Sequence, residues 1–328
     1  MNSKLNLLVG IFVLQVLIVA VLMWGGNNAA PAASWLNFER GSLTRIQISD
    51  AQDSIDLQRS ADGWLIDELP ADTSKVDGVL DKLEGIDAAW PTATSGSAAE
   101  RFEVSGDNFQ RRVQLLVDDR TVADFFLGTS PGYQRVHARA AESDDIYSVA
   151  LSNYELPLRA DDWLDKSLLA VSELPTSIRV TFADQRVELL EQGAEGWLYN
   201  GAAANQDTAV TYANRFKTLR VLGRATDPGD VQQLAEIELQ GPDGQRVLRI
   251  SRQMSAASAD ADADANTAAE GDYYLSDGDR TFSVATYIAE QLLLSDVDLA
   301  PAVGETTAPT DDPAAAIDQV QIPLAPSN

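Results

Sequence analysis

The stretch Leu43–Trp64, LTRIQISDAQDSIDLQRSADGW, contains two runs in which apolar and polar residues alternate. The runs are Leu43–Ser49 and Ser54–Ser60, and the turn-forming residues Asp50 and Asp53 lie between them. Alternation with a period of two is typical of half-buried strands. The stretch therefore predicts a β-hairpin that is followed by a Gly-Trp pair.

The landmarks of this stretch recur in the same order roughly 130 residues later, as expected of a repeat architecture. The matched landmarks are Ile46–Ile48 with Ile178–Val180, Ile55–Leu57 with Val187–Leu189, Gly63–Leu65 with Gly196–Leu198, the set Val76, Leu80, Leu83 and Ile86 with Tyr212, Phe216, Leu219 and Leu222, and Tyr147–Ala150 with Phe282–Ala285. The nearly constant offset predicts two copies of one α+β unit, residues 36–170 and 171–300.

Each copy carries one pattern with helical spacing among several with strand spacing. N-cap candidates at Asp72, Thr73 and Ser74 precede the first helix, and the second is predicted to begin near Asp207 and end at Gly223. Further strands are predicted at Phe109–Val117, Thr121–Leu127, Tyr133–Arg139, Ile146–Val149, Leu234–Leu239, Arg246–Arg252, Asp272–Leu275 and Thr281–Val284. Because strands this closely spaced leave no room for crossover helices, we expect mainly antiparallel sheets with one or two helices each, an α+β fold class.

The residues Leu5–Met23 form an uncharged apolar run. Nineteen residues rise by about 28 Å as an α-helix, close to the hydrocarbon thickness of a bilayer. Lys4 precedes the run, so the positive-inside rule places residues 1–24 as a cytoplasmic stub with one transmembrane helix. Residues 25–35 are then a flexible stalk, and the bulk of the chain lies outside the cytoplasm. The alternative is a cleaved secretory signal with its site near Ala30–Ala32.

Two segments lack the apolar residues that would stabilise an ordered structure. Residues 255–270 are small and acidic, and residues 301–328 are rich in Pro, Ala and Asp, so both are predicted to be disordered. For the tail, the apolar residues Ile317, Val320, Ile322 and Leu324 keep open the alternative of a short docking strand or peptide.

Composition removes many kinds of site. The chain has 328 residues, a formal net charge of −26, no cysteine and one histidine. These counts exclude disulfides, thiolate nucleophiles, Cys-ligated zinc and iron–sulfur clusters, and they disfavour nucleic-acid binding. No metal site or cofactor is predicted.

Three sequence strings imitate chemical sites and are rejected on physical grounds. Residues 128–132 read G-x-S-x-G around Ser130, but Pro131 has no N–H to offer an oxyanion hole, and His137 is expected to be a half-exposed strand residue. Asp260, Asp262 and Asp264 begin like a calcium loop whose required Gly and Glu are missing. Adjacent acidic residues point to opposite faces of a strand and form no dyad; the pairs are Asp118–Asp119, Asp144–Asp145 and Asp161–Asp162. The sequence therefore predicts a protein that is not an enzyme.

A basic cluster in copy one is the candidate partner-binding site. It consists of Arg111, Arg112, Arg135 and Arg139, which could meet an acidic partner or a lipid headgroup. The alternative is a solvated face on which the arginines pair with neighbouring carboxylates.

Several strings together resemble the bacterial domain-of-unknown-function family numbered 4340. They are Phe126–Gly128, Tyr133–Val136, Ile146–Val149, Leu158–Arg159 and Trp163–Lys166, with the N-terminal span and the Gly-Trp hairpin. The resemblance covers roughly residues 36–300. Members are often encoded beside ABC-type transporter components related to gliding-motility systems, which implies an envelope accessory role and no known reaction. Copy two lacks the Leu-Gly and Leu-Arg…Asp-Lys strings.

These observations lead to three functional hypotheses. The first is a non-enzymatic accessory or scaffold protein on the periplasmic side of the bacterial inner membrane, associated with an ABC-type transport or envelope-assembly system. The second is a periplasmic binding module for a glycan or peptide, in a groove between the copies, where exposed aromatic residues are expected. The third is a hydrolase.

Overall fold

The structure, a computed structural model, describes residues 38–86, 90–254 and 272–294, together with residues 15, 36, 88, 299 and 300. The chain divides into two compact units. Unit 1 contains the residues up to Leu169 together with Arg220–Arg224, and unit 2 contains Ala170–Leu219 and the residues from Ala225 onward.

Unit 1 is built on one eight-stranded sheet. Its strands are β1 (Arg45–Ser49), β2 (Ser54–Ser60), β3 (Gly63–Ile66), β4 (Leu69–Pro70), β5 (Arg111–Val117), β6 (Arg120–Leu127), β7 (Val136–Ala140) and β8 (Ile146–Val149), and its helices are α1 (Thr73–Glu84) and α2 (Gly96–Arg101). The strand order is β4-β3-β2-β1-β5-β6-β7-β8, and every neighbouring pair is antiparallel. Three short 3-10 helices lie at Arg40–Ser42, Asn153–Glu155 and Ala160–Asp162.

Unit 2 also rests on an antiparallel sheet. Its elements are β9 (Ser177–Phe182), β10 (Val187–Gly193), β11 (Gly196–Tyr199), β12 (Ala202–Ala203), α3 (Gln206–Lys217), β14 (Val231–Gly241), β15 (Gly244–Gln253), β16 (Tyr273–Asp277), β17 (Arg280–Val284) and α4 (Thr286–Leu292); the short β13 (Gly223–Arg224) belongs to the segment grouped with unit 1. Within unit 2 the order is β12-β11-β10-β9-β14-β15-β16-β17. The α+β class with mainly antiparallel sheets is confirmed.

The first predicted hairpin and helix are confirmed. Strands β1 and β2 pair with Ser49 opposite Ser54 across the aspartate turn. Helix α1 begins after Asp72, whose side chain accepts a hydrogen bond from the Lys75 N–H, as a Ser, Asp or Asn N-cap does. The apolar stripe of α1 is buried and packs toward β3. The hydrophobic spacing therefore predicts both the helix and the face that it buries.

The predicted end of the second helix is wrong. Helix α3 ends at Lys217 with Thr218 as its C-cap, and Gly223 lies in β13. Leu222, assigned to the buried stripe, is 57% exposed. Leu219 is buried although it lies after the end of the helix, so the helical spacing of apolar residues extends beyond the helix itself.

A tryptophan follows a left-handed glycine in each unit. Gly63 and Gly196 have φ of +137° and +127°, values that a residue with a Cβ rarely adopts. Trp64 and Trp197 are 3% and 5% exposed. Burial to this degree makes both rings part of the core and leaves no face for stacking on a carbohydrate.

One landmark of the sequence alignment is wrong by a single residue. Ile48 lies opposite Ile55 in unit 1, and its counterpart Val180 lies opposite Glu188 in unit 2. Glu188 therefore occupies the place of Ile55, because the β9–β10 turn is one residue longer. A one-residue slip turns every side chain to the other face of a strand, so Glu188 is buried at 2% exposure.

The remaining predictions of organisation fall outside the described residues. The predicted span Leu5–Met23 is described only at Gln15, and the stalk, the acidic loop 255–270 and the tail 301–328 are likewise outside. In the parts of the chain that the structure covers, no helix is both long and apolar enough to cross a bilayer.

Candidate functional site

A groove of about 1020 Å³ opens on the surface of unit 1. Four short connections line it: the β1–β2 turn at residues 50–52, the segment 109–111 that leads into β5, the β6–β7 connection at residues 129–135, and residues 152–154 after β8. A second cavity of about 320 Å³ is lined by Lys82 of α1, by Gly85 and Ile86 after that helix, and by Ala150 and Glu155, and it shares Gln134 with the groove.

The β6–β7 connection is held by hydrogen bonds that leave it little freedom. The Thr129 N–H donates to the Phe102 carbonyl, and the Ser130 hydroxyl lies 2.7 Å and 2.8 Å from the carbonyl oxygens of Gly132 and Arg135. Gly128 approaches the backbone closely, since a Cβ there would lie 2.0 Å from the Phe102 oxygen. The connection is therefore a fixed wall of the groove.

A second wall of the groove is a single 3-10 turn, Asn153–Glu155. Ser152 and Glu155 form a capping box around it, and Asn153 donates to the Gln110 side chain at 2.6 Å and to the Gly128 carbonyl at 3.0 Å. The Asn153 amide thus ties the turn to both β5 and the β6–β7 connection. The Asn153 side-chain oxygen is buried and has no hydrogen-bond partner in the described part of the chain. Burying an unpaired acceptor costs stability, so this contact has an energetic cost.

Two tyrosines project from these walls into solvent. Tyr133 is 89% exposed and Tyr154 is 95% exposed, and both line the groove. Phe109, half-buried on Phe126, adds a third aromatic ring to the lining. Tyrosine rings offer large amphipathic contact area at low entropic cost, so fixed turns that present them are suited to binding.

The groove carries two cations and one anion. The Asp50 pKa is lowered, first because the Asp53 N–H donates to its carboxylate and also through the Gln52 N–H and Arg111, so Asp50 stays ionised. Arg111 lies 3.6 Å from Asp50. Arg135 bonds only to the hydroxyl and carbonyl oxygens of Ser148 and forms no ion pair with any described residue. Among the described residues, the charge of Arg135 thus has no carboxylate partner, in a chain of net charge −26.

The four arginines of the predicted cluster separate into two pairs. Arg111 and Arg135 line the groove. Arg112 instead pairs with Asp124 on the neighbouring strand, which raises the Arg112 pKa, and Arg139 is 9% exposed. Arg139 donates to backbone carbonyls, including that of Val104 at 2.7 Å, so we assign it to holding the fold.

Ser130 and His137 are not brought into a nucleophile–base arrangement. His137 is buried rather than half-exposed, because it stacks on Phe102 at 4.0 Å and its Nδ1 lies 2.9 Å from the Thr129 carbonyl. Burial lowers its pKa. No cluster of metal-binding side chains occurs among the residues described, and the calcium-like string at Asp260–Asp264 lies outside them.

Unit 2 has a cavity of its own around the β14–β15 turn. A cavity of about 540 Å³ is lined by residues 170–175, 239–249 and 277–278. Asp243 closes it by accepting hydrogen bonds from the Ser172 hydroxyl and N–H, which lowers the Asp243 pKa, and Arg246 lies near Asp277. Asp243 and Arg246 therefore both have partners within unit 2, and we assign them a structural role.

The strings that carried the family resemblance fall into two roles. Tyr133–Val136 supplies the groove wall, whereas Trp163 is fully buried with its indole N–H on the Pro157 carbonyl. Lys166 donates to the Asp161 carbonyl at 2.5 Å and to the Leu222 carbonyl, and burial lowers its pKa. Sequence reasoning missed Tyr154, Asn153 and Gln110. The local signal for Tyr154 and Asn153 is the Ser152–Glu155 capping box around them.

Comparison with known proteins gives one match. No curated protein and no solved structure matches the chain. One family model matches residues 64–242, more than half of the sequence, and includes the Tyr133 wall and Tyr154 of the groove. The chain therefore belongs to the family described as domain of unknown function, DUF4340.

Proposed function

We propose that this chain is a non-enzymatic accessory or scaffold protein that binds a protein partner through the unit 1 groove. In this proposal it is anchored by Leu5–Met23, its bulk lies on the periplasmic side of the bacterial inner membrane, and its partner belongs to an ABC-type transport or envelope-assembly system. The apolar N-terminal run and the acidic composition support the location. The family's frequent neighbours support the choice of partner.

The observation that carries the proposal is the pair of exposed tyrosines on immobilised turns. An isolated exposed ring is common on any protein, but here two exposed rings line one groove. Each wall is fixed by side-chain hydrogen bonds to its own backbone. A surface that is ordered before binding loses less entropy when a partner docks.

The tandem organisation of the units belongs to the same proposal. The two sheets have the same strand order, which supports the duplication inferred from the landmarks. We propose that both copies descend from one ancestral unit and that unit 1 binds its partner between its β6–β7 connection and the turn after β8.

Copurification from mild detergent tests this function. We expect the full-length protein to recover an ABC transporter component, identified by mass spectrometry, and the double substitution Tyr133→Ala/Tyr154→Ala to reduce recovery at least about tenfold. Both side chains are exposed, so folding should be unchanged. Tyr287→Ala, which removes a 63% exposed tyrosine from unit 2, is the matched control and should recover the partner fully. Absence of any transporter component, or equal recovery by the double variant, would contradict the proposal.

A periplasmic binding module for a glycan or peptide is the second candidate. The same exposed aromatic residues, which lie in unit 1, favour it. Retention on immobilised cell-wall glycan, lost in the tyrosine double variant, would favour this function over a scaffold. A hydrolase is the third candidate, and hydrolysis that disappears with Ser130→Ala would support it.

A further inference from the structure

The C-terminal segment of the chain contains a motif that the proposed function does not use. Residues 317–326 read IDQVQIPLAP, with prolines three positions apart at Pro323 and Pro326 and a carboxylate at Asp318. Residues 301–328 carry acidic side chains and no lysine or arginine. Proline pairs with this spacing favour the polyproline II conformation, which aromatic-lined grooves recognise.

We infer that the unit 1 groove takes this C-terminal proline segment of the protein's own chain as its ligand, in competition with the partner. The inference rests on the proposed function, because it names a second occupant of the same groove. The inference goes beyond the proposed function because the protein's own C-terminal segment would then control whether the groove is free to bind the partner.

The shape and lining of the groove fit an extended peptide. Its volume of about 1020 Å³ is at the upper limit of the roughly 300–1,000 Å³ typical of sites for small molecules, and it shares the lining residue Gln134 with a second cavity. Tyr133, Tyr154 and Phe109 provide rings against which prolines pack. A chain segment fills such a depression better than a single small ligand does.

Hydrogen bonding supports a polyproline II ligand. A segment in this conformation has no internal hydrogen bonds, so its carbonyl oxygens remain free to accept from the protein. Gln52 and Gln134 bring exposed side-chain amides to the groove. These donors match the unpaired carbonyls of the peptide.

Charge complementarity selects this segment. The Arg135 guanidinium, which forms no ion pair among the described residues, lines the same groove as the aromatic rings, and Asp318 lies five residues before Pro323, about 15 Å along a polyproline II helix. The 28 residues beyond Ala300 reach up to roughly 90 Å when extended, so the segment has ample length to occupy a groove. Most other sequence in this acidic chain lacks the combination of prolines, apolar residues and a carboxylate.

A binding titration tests the inference. The probe is a fluorescently labelled synthetic peptide of residues 313–328, added to three full-length proteins: wild type, the tail variant Pro323→Ala/Pro326→Ala, and the tail variant that also carries Tyr133→Ala/Tyr154→Ala. We expect saturable binding to the tail variant, about tenfold tighter than to wild type, because the wild-type tail competes. The added groove substitutions should weaken binding at least about tenfold. Tyr287→Ala in the tail variant should leave the affinity unchanged.

Three results would overturn the inference. They are equal affinity of wild type and tail variant, equal affinity with and without the groove tyrosines, and no saturation up to about 1 mM peptide, weaker than the range of specific complexes. If the peptide fails while copurification of the partner still depends on Tyr133 and Tyr154, only this inference fails and the proposed function stands. Displacement of the peptide by a glycan with no effect of the tail substitutions would identify a glycan as the occupant instead.

Discussion

Units 1 and 2 have the same order of strands, and one pair of corresponding connections differs greatly in length. In unit 1 the β6–β7 connection, residues 128–135, is a short turn fixed by Ser130 and Thr129. In unit 2 the connection between β15 and β16, residues 254–272, is more than twice as long and contains the acidic Ala/Asp string. Alternating apolar residues set the sheets in both units, whereas the connections, which tolerate change, differ between them.

Replacing the buried tryptophan of each unit tests whether the two cores are built alike, and we expect it to have a greater effect on stability than the other substitutions below. Trp64→Ala and Trp197→Ala should each lower the free energy of unfolding of their unit by about 3–5 kcal/mol, because each removes a fully packed ring. Chemical denaturation followed by tryptophan fluorescence measures this. A loss below about 1 kcal/mol in one unit only would show that the two tryptophans have different roles.

The groove wall of unit 1 should depend on one close backbone approach. Gly128→Ala should cost about 3 kcal/mol, since its Cβ would lie 2.0 Å from the Phe102 carbonyl oxygen and 2.4 Å from that of Glu103. Gly132→Ala, in the same connection with nothing within 4 Å, is the control and should change stability by less than about 0.5 kcal/mol. Similar stabilities of the two variants would contradict the fixed-wall description.

The buried carboxylate of unit 2 allows its core to be converted to that of unit 1. Glu188→Ile places there the residue type that Ile55 has in unit 1, and we expect a gain of about 1–2 kcal/mol, because a buried charge is removed and Arg186, half exposed, remains solvated. Arg186→Gln should act in the opposite direction by leaving Glu188 unpaired. Destabilisation by Glu188→Ile, measured by denaturation, would show that the ion pair is needed for the fold.

The smallest expected effect is a pH dependence confined to unit 1, which contains the single histidine. Burial lowers the pKa of His137, so the unfolded chain binds its proton more readily than the folded one. Stability is therefore complete above the ordinary value near about 6.5 and decreases as the pH falls through the lowered pKa. His137→Gln should flatten the melting temperature between about pH 7.5 and about pH 5.5. An unchanged slope in that variant would assign the dependence to other groups.

The sequence predicted strands and helices well where a single local pattern, such as alternation or an N-cap followed by an apolar stripe, determines them. The β1–β2 hairpin follows from alternation, and α1 follows from the Asp72 cap and its stripe. Helices α2 and α4 escaped prediction because they are short, and α2 buries little more than Ala98 and Ala99.

The candidate site was predictable only in part. Arg111 and Arg135 were found because basic residues are rare in this chain, but charge alone could not separate them from Arg112, whose partner Asp124 lies across the sheet. Tyr154 and Asn153 join the groove through contacts with residues far away in sequence, such as Gln110. The place of Ile55 in unit 1 was assigned to Val187 and is occupied by Glu188, because the β9–β10 turn has one additional residue. A comparison of landmarks along the sequence cannot detect a single inserted residue.

Site-specific photocrosslinking in intact cells tests most directly that the groove of unit 1 is the binding surface. A benzophenone amino acid in place of Gln52, exposed in the β1–β2 turn of the groove, is compared with one in place of Ala183, exposed in the β9–β10 turn of unit 2. We expect a discrete crosslinked product from position 52, abolished by Tyr133→Ala/Tyr154→Ala, and none from position 183. Equal crosslinking from both positions, or a product from position 52 that survives the tyrosine substitutions, would contradict it.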